Sequence, residues 1–107
     1  MKIEVLHHID CSEPDKNGMH DYHYEYDTYQ FTDGNVSLTA RSYDEDPEEA
    51  SFMSITIDGE CRGLELADLN NPVLLAAKAY FHSRGKKEMN WFSGTSYEQL
   101  PPTENKL

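Results

Sequence analysis

Apolar and polar residues alternate along much of the first 66 positions, and a period of two predicts strands. Residues 2–9 form a first strand, with Ile3, Val5 and His7 on one face and Glu4, Leu6 and His8 on the other; its charge and short length suit an edge. Ser12, Pro14, Asp15, Asn17 and Gly18 then gather in residues 11–19, which read as a flexible loop.

The clearest strand spans residues 20–32, where Tyr22, Tyr24 and Tyr26 share one face and His23, Glu25 and Asp27 the other. Tyr29 and Phe31 continue the aromatic series one step out of phase. If a single face is buried, this break in parity predicts a bulge near Asp27 and Thr28, with the tyrosine row facing the core. Asp33-Gly34 is a type I′ hairpin signal that pairs Phe31 with Val36 and Tyr29 with Leu38.

A third strand, residues 35–43, runs into the acidic residues 44–49, a solvated loop in which like charges and Pro47 oppose pairing. In the fourth, residues 50–58, Met53, Ile55 and Ile57 share one face and Phe52, Ser54 and Thr56 the other. Asp58-Gly59 signals a second hairpin into residues 60–66, a strand weakened by Gly63.

The period then changes from two to that of a helix. Asn70 or Asn71 can cap residues 72–84, Pro72 suits the first turn, and Gly85 can end the helix. Val73, Leu74, Ala77 and Phe81 make an apolar stripe, widened by Leu75, Ala76, Ala79 and Tyr80, so the helix should lie across a sheet. Residues 88–92 alternate weakly as a last strand, and residues 101–107 read as a frayed tail. The expected fold is α+β: an antiparallel sheet of four to six strands with one main helix on one face, in a single domain of 107 residues.

Charge sharpens this picture. Twenty acidic residues against nine basic ones give a formal charge of -11. Residues 1–68 hold seventeen acids and four bases, whereas residues 69–107 hold three and five. A surface so acidic repels phosphate backbones and argues against nucleic acid as partner. The longest wholly apolar run, residues 73–77, is far shorter than the roughly 20 residues that span a bilayer, and no signal peptide opens the chain. Cys11 and Cys61 form no paired motif, and reduced thiols in a cytoplasmic protein are the expectation.

Candidate chemistry is sparse. His7, His8, His20 and His23 are the nearest approach to a metal set, but neighbouring histidines on a strand point to opposite faces, so zinc is expected to bind weakly or not at all. The acidic run lacks the glycine of a calcium loop. No nucleophile elbow or phosphate loop is present; no catalytic residue and no cofactor are assigned, and the balance is against an enzyme.

What remains is the charge itself, since seventeen acids in 68 residues exceed what solubility requires. The expected function is that of a small binding or inhibitory protein recognising a basic protein partner through Glu25, Asp27, Asp44, Glu45, Asp46, Glu48 and Glu49. Immunity proteins and antitoxins fit that description by size and charge alone, with no shared motif. The alternatives are a small enzyme or ligand-binding domain with a pocket between sheet and helix, including His23, Glu88 or Trp91, and a metal-binding accessory protein.

Overall fold

The computed structural model describes residues 1–11, 23–93 and 96–99, with residues 10, 11 and 23 described by their backbone. Of the expected loop at 11–19, Cys11 instead ends the first strand and residues 12–19 lie outside the described ones, as do the strand start at 20–22 with His20 and Tyr22 and the tail at 101–107. Seven strands form one sheet: β1 (Lys2–Cys11), β2 (His23–Asp33), β3 (Val36–Tyr43), β4 (Glu49–Ile57), β5 (Glu60–Arg62), β6 (Glu88–Phe92) and β7 (Tyr97–Gln99). The order is β1-β2-β3-β4-β6-β7, and β5 joins β4 alone.

The far edge of β4 is shared, with residues 55–57 pairing β5 and residues 49–52 pairing β6. Among the described residues the strand count is therefore seven where four to six are expected, and β7 is the strand that the sequence does not predict. The β4–β6 pair is parallel, so the sheet is mixed rather than purely antiparallel. The reason is topological: a short 3-10 segment, Leu66–Asn70, and helix α1, Pro72–Ser83, carry the chain across the sheet before it re-enters beside β4 in the same direction.

The expected bulge in β2 is not there. Its ladder with β3 runs without interruption from Tyr26↔Tyr43 to Asp33↔Val36, and its ladder with β1 is equally regular. Tyr24 and Tyr26 therefore lie on the face opposite Tyr29 and Phe31, away from the helix. The parity break sits instead in β4. Thr39 faces Ser54 and Ala40 faces Phe52, which leaves Met53 as the extra residue. This bulge turns Phe52, not Met53, toward the helix together with Ile55, and both are fully buried.

The first hairpin also differs from expectation. Gly34-Asn35, not Asp33-Gly34, forms the loop, so Phe31 pairs with Leu38 and Tyr29 with Ala40. Gly34 has a positive φ of 61° in the first loop position, where type II′ geometry requires glycine. At the second hairpin Asp58 and Gly59 both have positive φ, 54° and 84°, and Ile57 pairs with Glu60 as a type I′ turn dictates. The strand after it stops at Arg62, four residues short of the expected end, and Arg62 makes a two-pronged contact with Asp68 at 2.7 and 3.0 Å. The Glu65 N–H also donates to Asp68, at 2.7 Å, and the Arg62 guanidinium holds the Asp68 carboxyl below its ordinary range.

Helix α1 is built as the sequence suggested. The Asn71 side chain accepts the Val73 N–H at 2.9 Å, and Pro72 takes the first turn. At the other end the Gly85 N–H bonds the His82 carbonyl and the Lys86 N–H the Phe81 carbonyl, a Schellman closure with Gly85 at φ 84°. Val73, Leu74, Ala77 and Phe81 are buried, whereas Leu75, Ala76 and Ala79 are exposed, so the apolar stripe is narrower than the sequence implied. Phe81 is the hub: its ring meets Tyr29, Phe31 and Phe52 at centroid distances of 4.9, 5.4 and 5.7 Å. Tyr29, packed there, has its phenol pKa raised by burial.

Candidate functional site

The β1–β2 register sets His7 opposite Asp27, and the regular alternation of β2 puts Glu25 on the same face. At the end of β3 the chain turns, and the Asp44 N–H donates to the Glu25 carbonyl at 2.9 Å, which brings Asp44 to the same margin of the sheet. His7 Nδ1–H donates to Asp27 Oδ1 at 2.7 Å, and Nε2 lies 3.5 Å from Glu25 Oε2. His7, Asp27 and Asp44 each offer an oxygen or nitrogen within 4.8 Å of the others.

Three carboxylates around one imidazole hold a proton well. The hydrogen bond to Asp27 is the main cause that raises the His7 pKa above 6.5, followed among the favourable terms by the charges of Asp27, Asp44 and Glu25. The side chains of His7, Glu25 and Asp27 are 48%, 38% and 31% exposed, so a partner can reach the cluster.

Of the seven acidic residues expected to bind a partner, the fold therefore brings together Glu25, Asp27 and Asp44. Glu45 and Asp46 follow on the exposed β3–β4 turn. Glu48 ends that turn 3.7 Å from Lys87, and the Lys86 ammonium donates to the Pro47 carbonyl at 2.6 Å, so one side of the turn is tied to the chain that leads into β6. Glu49 belongs elsewhere, on the helix-free face. Glu25 and Asp27 themselves lie on the helix side of the sheet, not on an uncovered face opposite the tyrosines. That correction has the same origin as the missing bulge in β2. The sequence sets His7 only beside other histidines; its carboxylate partners lie 18, 20 and 37 positions away, and only the strand register reveals them.

The helix-free face holds a second feature. Arg41, Tyr43, Glu49, Ser51, Met53, Asn90 and Tyr97 line a concavity of about 320 Å³. The Arg41 guanidinium lies 4.7 Å from the Tyr26 ring centre and donates to the Tyr43 hydroxyl at 3.3 Å. Among the described residues, Arg41 Nε and Asn90 Oδ1 are the buried side-chain atoms without a hydrogen-bond partner, and both residues line this concavity. Where the alternative reading set a pocket, between sheet and helix, Phe31, Phe52, Phe81, Leu38, Ile55 and Leu74 are fully buried and Trp91 is buried with them.

Compared with known proteins, the chain matches no family model, and no curated relative or solved structure matches it. Among the described residues no helix is long and apolar enough to cross a membrane.

Proposed function

We propose that the protein is a small acidic binding protein, inhibitory or antitoxin-like in kind, which recognises a basic protein partner. The observation that carries this reading is the convergence of Glu25, Asp27 and Asp44 on one accessible margin, continued by Glu45 and Asp46 on the adjoining turn. A partner's lysine or arginine would compete with the His7 proton for the same carboxylates. The filled space beneath the helix favours this reading over a ligand pocket there. The two unpaired polar atoms beside the concavity favour, as a second reading, a small ligand on the helix-free face.

The test is kinetic. With a partner recovered from native lysate at low salt, reversing Asp44, Glu45 and Asp46 to Lys should lower the association rate constant by about tenfold or more, with a smaller change in dissociation. His7 adds a pH signature. Its proton stabilises the fold below its ordinary pKa, and that contribution fades as pH rises through the raised value. Losing the proton leaves the cluster one charge more negative, so association should strengthen as pH rises through the same window, and His7→Gln should flatten the rise. An association rate indifferent to charge reversal and to pH would sink the proposal.

A further inference from the structure

Ten residues long, β1 stands at the edge of the sheet, and among the described residues no strand pairs with its outer side. Val5, Leu6 and Ile9 are 47%, 64% and 61% exposed. Edge strands are usually shortened, bulged or interrupted by proline to prevent pairing, yet β1 keeps a regular ladder with β2 throughout and contains no proline. We propose that its occupant is a second copy of this chain, whose own β1 adds antiparallel to the first and joins the two sheets into one.

The register follows from symmetry and charge. A two-fold axis normal to the sheet leaves each residue on its own face, so residue i meets residue j only where i and j are both odd or both even. Centring the axis on Leu6 sets Leu6 against Leu6, Glu4 against His8 and Lys2 against Asp10 on the helix-free face. On the other face Ile3 meets Ile9 and Val5 meets His7. Lys2 and Asp10 are thus matched by charge, Leu6 with Leu6 and Ile3 with Ile9 by apolar contact, and Glu4 can accept a hydrogen bond from His8. Shifting the centre to Val5 opposes Lys2 to His8 and Glu4 to Leu6; shifting it to His7 opposes Glu4 to Asp10. Leu6 is therefore the centre at which the strand is complementary to itself.

This pairing uses the outer edge of β1 and sets the second copy's Val5 beside His7, but its test reads chain mass rather than association with a basic partner, so the two proposals fail separately. Sedimentation equilibrium of the full chain at physiological salt, from about 5 to 500 µM, covers the affinities expected of a small strand-edge interface. It should give twice the 12.3 kDa chain mass at the upper end. Leu6→Lys sets two ammonium groups face to face at the axis and should leave a monomer. Leu6 is exposed in the single chain, so the circular dichroism and melting of this variant should be unchanged. Lys2→Glu opposes acid to acid twice per dimer and should weaken pairing by about tenfold, while adding Asp10→Lys should restore it. A monomer at every concentration, a Leu6→Lys dimer, or a double variant no tighter than Lys2→Glu would each overturn the proposal.

Discussion

The two faces of the sheet use similar side chains to opposite ends. On the helix side Tyr29, Phe31 and Phe52 close around Phe81 with no more than 8% exposure. On the other side Tyr24, Tyr26 and Tyr43 also sit within ring contact, with Tyr26 and Tyr43 at 5.3 Å and His8 stacked on Tyr26 at 5.0 Å, but Tyr24 is 44% exposed. Aromatic content does not separate the faces. The side on which parity places a ring, and whether a helix arrives to cover it, does. The buried rings lack polar groups apart from the Tyr29 hydroxyl and the Trp91 indole N–H, whereas the exposed ones carry hydroxyls and an arginine that water or a ligand can reach.

If parity is the deciding variable, the largest effects should come from changing it. Removing Met53 deletes the extra residue at the break in the β3–β4 register, and the ladder can then close with Phe52 and Ile55 still inward. That deletion should leave a folded protein, weaker by about 1–2 kcal/mol through loss of contacts around Met53. Removing Thr39, its near neighbour across the ladder, should be far worse. It would drive Arg41 and Tyr43 toward the core in place of Ala40 and Ser42, and an unpaired buried charge alone costs several kcal/mol. Chemical denaturation checks both. Equal losses from the two deletions would mean that the bulge does not set the faces.

A smaller effect separates the covered rings from the open ones. Phe81→Ala should cost about 3–5 kcal/mol, a large share of a small domain's stability, because the cavity opens in a core whose Phe31, Phe52, Leu38, Ile55 and Leu74 are fully buried. Tyr26→Ala, on the open face, should cost about 1 kcal/mol, the loss of an arginine contact and two partly exposed ring contacts. Comparable losses in equilibrium unfolding would show that the open face is itself a core.

Those contrasts mark where sequence reasoning succeeded. The helix was legible because its cap, first-turn proline, apolar stripe and terminal glycine all agree within fifteen residues, and Asp58-Gly59 was legible because no competing turn overlaps it. At Asp33-Gly34-Asn35 two turn-forming pairs overlap, and the choice between them shifts every cross-strand partner. The bulge was hidden because Met53 continues an apolar alternation with Ile55 and Ile57, so nothing in composition marks it as the extra residue. In β2 the break in aromatic phase was visible but ambiguous: a bulge or a change of face satisfies it equally, and only the ladders with β1 and β3 decide. The acidic margin was half legible. Glu25, Asp27 and Asp44 could be named from charge, but their meeting at His7 depends on two strand registers at once.

The smallest expected effect concerns Arg41, and its sign matters more than its size. Stacking on Tyr26 and bonding the Tyr43 hydroxyl are worth about 0.5–1 kcal/mol at a partly exposed site, while leaving Nε buried and unpaired costs about 1–3 kcal/mol. These nearly cancel, or favour removal of the charge. Arg41→Met keeps the length and apolar stem of the side chain and discards both terms. It should therefore change stability by less than about 1 kcal/mol, with a gain as acceptable as a small loss. Urea unfolding of the variant beside the parent protein measures this. A loss above about 2 kcal/mol would make Arg41 a pillar of the open face, comparable with side chains of the covered one, and the contrast between the faces would fail there. Near-neutrality would leave the arginine without a stabilising role, and binding in the concavity beside Asn90 would become the function to test for it.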